Sequence, residues 1–179
     1  MNKLSIFLLL IFSVFSFAQT IVVQEDFKDG LPDEWEVKTD HKYKKWKAKS
    51  YKDYHYITMS AFSGRNKPIE EIKTYLYTPV ISKEERGCKL KFSFADAYSN
   101  GNPLEVFLVD EDKKLIKSIN EKFYVELINN DSKYDNNFES TEWIDLPNVG
   151  KDYHIAFRYN SKGKISTTIQ LDAVDIWCE

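Results

Sequence analysis

The sequence predicts an all-β sandwich. Short runs of alternating apolar and polar residues recur along it, turn-forming clusters separate them at close intervals, and no window shows a convincing helical period. Aromatic residues make up 15% of the chain, mostly Tyr and Phe, and these side chains suit sheets better than helices.

Residues 1–18 stand apart from that pattern. Met1-Asn2-Lys3 is a short positive start, residues 4–17 are apolar and uncharged, and Ser16-Phe17-Ala18 supplies the small-x-small sequence that signal peptidase reads. The apolar run falls short of the roughly 20 residues a membrane helix needs, and no later stretch resembles one. Residues 1–18 therefore read as a signal peptide and 19–179 as one soluble domain. The expected location is secreted or at the cell surface, with no membrane insertion after cleavage. No cysteine follows the cleavage site, so nothing points to a lipid anchor.

The mature chain opens with a short strand at Ile21-Val22-Val23, ending in Glu25-Asp26-Phe27, and residues 28–33 form a turn by composition. Trp35-Glu36-Val37 resumes extended structure. Residues 38–52, rich in Lys and Tyr, read as a loop anchored by Trp46. A strand is expected over 54–62. In 72–81, Tyr75, Tyr77, Pro79 and Ile81 alternate with Leu76 and Val80, and Pro79 suits only an edge or a strand end. Leu90, Phe92 and Phe94 alternate with Lys89, Lys91 and Ser93, and the same phase carries Asp96 to the apolar side.

Residues 104–109 are apolar on both faces and read as a central strand between turns at 100–103 and 110–113. A further strand is expected at 123–128, then a polar loop at 129–140, and residues 143–147 lead into the last two strands. In the first of these, Tyr153, Ile155, Phe157 and Tyr159 share a face opposite His154, Ala156, Arg158 and Asn160. In the second, Ile169, Leu171 and Ala173 alternate, then the phase slips so that Val174 and Ile176 continue it. A one-residue slip is the sequence mark of a β-bulge, and Asp172 sits just before it.

Composition excludes some functions. The net charge is −3 with both signs interspersed, so the basic field that nucleic acid requires is missing. His41, His55 and His154 form no metal-protease pattern, no nucleophile elbow is present, and neither cysteine has a nucleophile's context. The chain is therefore expected not to be an enzyme. Cys88 and Cys178 either oxidise to one bridge in an exported chain or stay two independent thiols.

EDFKDGLPDEW, ITMSAF, YLYTPVI, LKFSFADAY, LEVFLVDED, WIDLPNVGKDYHIAFRYN and LDAVDIW occur in that order along the chain. Together they resemble the cleaved-adhesin and choice-of-anchor J domains, a family whose turn aromatic and glycine are replaced here by Glu111-Asp112-Lys113. The resemblance implies a jelly-roll β-sandwich of two antiparallel sheets, related in architecture to carbohydrate-binding modules and MAM domains. It also implies adhesion to an extracellular glycan or protein ligand, and a structural calcium ion.

Calcium takes six to eight oxygens, with carboxylates and backbone carbonyls mixed. The positions that the resemblance matches to ligands are Glu25, Asp26 and Asp172. Asp96 joins them because its phase points inward and a buried carboxylate needs a partner. The alternative is pairing with Arg158, a lysine or backbone amides, without an ion. For sugar stacking, the aromatics in or beside loops are Trp46, Tyr51, Tyr54 and Tyr98, while Trp35, Trp143 and Trp177 lie in strand patterns and are expected in the core. Two other functions stay open: a polysaccharide hydrolase using two carboxylates, and a non-catalytic assembly component of an exported complex.

Overall fold

Two antiparallel sheets face each other across a shared core in the computed structural model, which describes residues 19–64, 71–122 and 138–179. The first sheet runs β3 (Lys47–Tyr51), β4 (Tyr54–Met59), β12 (Thr168–Cys178), β6 (Lys89–Ala97) and β10 (Ile144–Asp145). In it β1 (Thr20–Glu25) also pairs with β12, and β9 (Glu139–Ser140) with β6. The second runs β2 (Glu36–Thr39), β5 (Lys73–Tyr77), β11 (Tyr153–Asn160), β7 (Leu104–Asp110) and β8 (Leu115–Ser118). The all-β jelly-roll expectation is met.

The two C-terminal strands are the inner strands around which the sheets are built. β11 bonds to β5 on one edge and β7 on the other. β12 bonds to β6 along most of its length, and to β4 and then β1 on its opposite edge. The 3-10 turn Lys162–Lys164 between them therefore carries the chain from one sheet to the other.

Tyr153, Ile155, Phe157 and Tyr159 all point inward and are buried. The Phe157 ring meets Phe92 edge-on at 5.2 Å, a geometry that aromatic pairs favour. The buried Tyr159 hydroxyl donates to the Thr167 carbonyl at 2.8 Å and accepts from the Ala61 amide at 3.0 Å, so its polar atom is satisfied.

The bulge falls where the phase slip placed it. Leu171 pairs with Phe94 and Ala173 with Ser93, which leaves Asp172 as the extra residue. Asp96 keeps the phase of Phe94 and is 5% exposed. Pro79 lies beyond the end of β5, which has neighbours on both edges, so the proline marks a strand end.

Several expectations need correction. Residues 47–51 form β3, although 38–52 reads as a loop. All five of its side chains are exposed, so an edge strand shows no alternation. β8, at the edge of the other sheet, alternates exposed and half-buried positions, but its apolar residues Leu115 and Ile116 are adjacent and fall on both, so no alternation of residue type is readable. β9 lies in what reads as a polar loop. Trp143 is 41% exposed. It leaves the core to lie against Trp177 at 5.7 Å, with the Lys91 ammonium 5.8 Å from its ring. Trp177, also expected in the core, is itself only half-buried and lies outside it. The signal segment 1–18 and the expected strand 123–128 lie outside the described residues.

Cys88 and Cys178 are bridged across a separation of 90 residues, joining the approach to β6 with the end of β12. Closing so long a loop restrains the unfolded chain, by about 2–5 kcal/mol for a native bridge. Reduction, or Cys88→Ser with Cys178→Ser, is expected to lower the urea midpoint accordingly. An unchanged midpoint would mean that the β6–β12 ladder already restrains those ends.

Candidate functional site

The outward face of β11 carries His154, Ala156, Arg158 and Asn160. Ala156 is flanked in register by Tyr77 of β5 and Phe107 of β7. It is fully buried even on this face, because Tyr77, Phe107 and Val109 pack with it into a second apolar cluster outside the core. Tyr75 and Tyr77 lie parallel, with centroids 5.7 Å apart and 2° between their planes. Together with Phe107 and the exposed Leu115 they line a groove of about 380 Å³.

Cations sit over these rings. The Arg158 guanidinium lies 4.5 Å from the Phe107 centroid and the Lys113 ammonium 4.9 Å from that of Tyr77, within cation–π range. At one end of the groove Arg158 Nε donates to Glu105 Oε2 at 2.6 Å, and Asn160 Nδ2 donates to the same oxygen at 3.2 Å. Glu105 first, and the Tyr75 hydroxyl after it, hold the Arg158 guanidinium more firmly in its charged form.

At the other end Lys113 Nζ lies 3.3 Å from Glu36 Oε2 and 2.9 Å from His154 Nε2. His154 Nδ1 is 2.7 Å from the Thr78 carbonyl. A carbonyl can only accept, so these partners place the imidazole hydrogen on Nδ1 and leave Nε2 to accept from Lys113. Burial, with smaller contributions from Tyr75 and Glu36, pushes the Tyr77 phenol up to about 12. Its hydroxyl is therefore neutral at physiological pH. Aromatic surface between two polar forks can hold a ring that is apolar on its C–H face and polar at its edge.

A second cluster lies at the bulge. β4 pairs with β12 as far as Leu171, and β1 pairs with it from Val174, so Asp172 and Ala173 sit at the seam between those strands. Burial first, then the charge of Asp26, raises the Asp172 carboxyl, while His55 and Lys28 offset part of that. Asp26 itself is held low by Lys28, whose ammonium is 2.7 Å from Oδ2. Glu25 Oε1 accepts the Phe27 amide at 2.6 Å, and the charges that act on it are those of Asp26 and Glu34 rather than Asp172.

The set expected to bind calcium is thus only partly assembled. Asp26 and Asp172 share one electrostatic environment. Asp96 lies opposite Ile169, up the ladder from the Phe94–Leu171 pair beside the bulge. Among the described residues no group of three or more His, Cys, Asp or Glu is close enough to hold a metal.

No protein-family model matches the sequence, and no curated protein matches it. Solved structures do. The K1 cleaved adhesin domain of Lys-gingipain from Porphyromonas gingivalis W83 aligns over 89% of this chain and 97% of its own, at 20% identity and a TM-score of 0.59. The K3 cleaved adhesin domain of the same protein covers 89% and 99%, at 18% identity and a TM-score of 0.62. The chain has the cleaved-adhesin fold. At these identities the likeness extends to the fold and no further.

Within that fold the four expected sugar-binding aromatics do not form one surface, and only Tyr51 and Tyr54 come together. Trp46 is 1% exposed, so its assignment to a ligand surface is corrected. Its indole lies edge-on to Tyr159 at 6.4 Å, and Nε1 donates to the Thr74 carbonyl at 3.3 Å. Tyr51 and Tyr54 are exposed cross-strand partners on β3 and β4, and Tyr54 also stacks on Phe138 at 6.1 Å. Tyr98 is exposed and lies at a different recess.

The groove aromatics lie in strands, so an expectation that places ligand aromatics in loops passes over them. Two signals pointed to them. Tyr75 and Tyr77 share a phase opposite the core residue Leu76, and β7 is apolar on both faces, as a strand between two apolar layers should be.

A carboxyl raised in the folded state gives its full stability only below its ordinary pKa and loses it as pH rises through the shifted value. Asp172→Asn keeps the uncharged form, so in EDTA at pH 7 it is expected to melt above the parent. That gain should vanish below about pH 3.8, the ordinary value. Equal melting at pH 7 would mean that Lys28 and His55 already neutralise the seam.

Proposed function

We propose that the chain is an exported, non-catalytic binding module that holds a glycan on the outer face of the β11 sheet. The observation that carries this reading is the groove itself. It sets the parallel Tyr75 and Tyr77 rings over the small Ala156, between the Arg158–Glu105–Asn160 fork and the Lys113–Glu36–His154 cluster. Its volume of about 380 Å³ falls in the range of small-ligand sites, which are apolar with a few placed polar groups. Stacking on the Tyr75 side of the groove would supply affinity, and Arg158, Asn160 and Lys113 would select hydroxyl positions. The apolar residues 4–17 and the disulfide support export, because such bridges persist in oxidising compartments.

Screening the purified protein on a glycan array, then titrating the best ligand, tests the reading. Tyr75→Ala and Arg158→Ala are expected to weaken binding roughly tenfold or more, about 1.4 kcal/mol, while Tyr51→Ala leaves it unchanged. The reverse pattern would move the site to the β3–β4 hairpin.

Calcium at the bulge is part of the same proposal, with Asp26 and Asp172 as carboxylate ligands and backbone carbonyls at the seam completing the shell. What supports it is the pair of neighbouring carboxylates, whose mutual repulsion a divalent cation would relieve. Millimolar calcium is expected to raise the melting temperature above that in EDTA, because a ligand specific to the folded state stabilises it by mass action. Asp172→Ala should abolish the rise. An identical melt in calcium and EDTA would leave His55 and Lys28 as the neutralising partners.

A further inference from the structure

We propose that a recess where β3 begins and β4 ends is a second binding site, built for an anionic sugar: a polysaccharide bearing carboxylate or sulfate groups. The recess encloses about 230 Å³. Lys44, Lys45, Lys47 and Lys49 line it, and among the described residues no acidic side chain does. Lys44 donates to the Phe62 carbonyl and so is held against one wall. Lys45, Lys47 and Lys49 are exposed and make no ion pair among the described residues.

Lys47 and Lys49 project from one face of β3, since they pair in register with Thr58 and Tyr56 of β4. Residues two apart on a strand are separated by about 7 Å. That is inside the roughly 8 Å Debye length of physiological salt, so their potentials add. The chain as a whole carries −3, and this is a local positive spot on an acidic molecule.

The walls fit a sugar. Tyr43, Phe62 and Tyr98 are 75%, 52% and 47% exposed and give the recess aromatic surface beside its cations. Thr58, Ser60 and Thr168 form its polar floor, where the Thr58 and Ser60 hydroxyls donate to the Ile169 and Ser166 carbonyls. Lysines on an edge strand also discourage strand addition. That role needs neither a recess nor three exposed rings, and Lys45 precedes the strand. A nucleic acid would meet the negative remainder of the surface, whereas a glycan carboxylate or sulfate needs only the recess. The site shares no lining residue with the groove on the β11 sheet, so it stands or falls independently.

The test is affinity electrophoresis and calorimetry of the mature protein with polygalacturonate, heparin and a neutral galactan, at low and at physiological salt. At least one anionic polymer is expected to bind and to weaken with salt, and which of the two binds identifies carboxylate or sulfate as the group held. Lys47→Gln with Lys49→Gln should reduce that binding at least tenfold without moving the melting temperature, because both side chains are exposed, and Tyr75→Ala should leave it intact. The proposal is overturned if neither anionic polymer binds at low salt, or if the double variant binds as well as the parent. Tighter binding of a single-stranded oligonucleotide than of either polymer would overturn it as well.

Discussion

An inner strand has both edges hydrogen-bonded and both faces covered or shaped by neighbours, and one continuous segment supplies such a strand to each sheet. β11 and β12 are separated only by a short loop with a 3-10 turn, yet they lie in opposite layers. The chain must therefore pass from one layer to the other between them, by a turn whose Lys162 and Gly163 are exposed. Tyr159, at the end of β11, anchors that crossing through hydrogen bonds to Ala61 and Thr167. The strands that pair directly with this segment, β5 and β7 in one sheet and β1, β4 and β6 in the other, take their register from it.

The two outer faces differ because different parts of the chain reach them. On the β12 sheet, Phe138 lies against Tyr54 and Tyr56, and Trp143 against Trp177. Aromatic side chains there serve to seal the sheet. On the β11 sheet the strands themselves build an apolar patch around Ala156, and arginine and lysine cap its rings. The result is a shaped surface with fixed charges at both ends. The lysine-lined recess sits at a third place, at the β3 end of the β12 sheet, where none of the other described strands pairs with β3's outer edge.

The bulge at Asp172 shows how a local irregularity becomes a potential site. An extra residue in a ladder loses its cross-strand partner. Here the opposite edge of β12 is also where β4 gives way to β1. A carboxylate is thus placed at a gap in the hydrogen-bonded surface, next to Asp26 from the end of β1. Desolvation and like charge both raise the Asp172 carboxyl, and His55 and Lys28 supply the compensation that the protein carries itself.

The sequence alone determined the two-sheet class, the inward faces of β6 and β11, the inward phase of Asp96 and the bulge at Asp172. Each depends on period-two burial or a one-residue slip, and both are local. It left undecided whether the cysteines pair, because that depends on the distance between the ends of two strands far apart in the chain. It could not show β3, whose side chains are all exposed, or β8, whose adjacent Leu115 and Ile116 hide the alternation of its burial. Nor could it tell that Trp46 belongs to the core while Trp143 lies outside. Which aromatics form a surface depends on which strands become neighbours. Tyr77, Ala156 and Phe107 come from separate segments, and only the β5–β11–β7 pairing brings them onto one face.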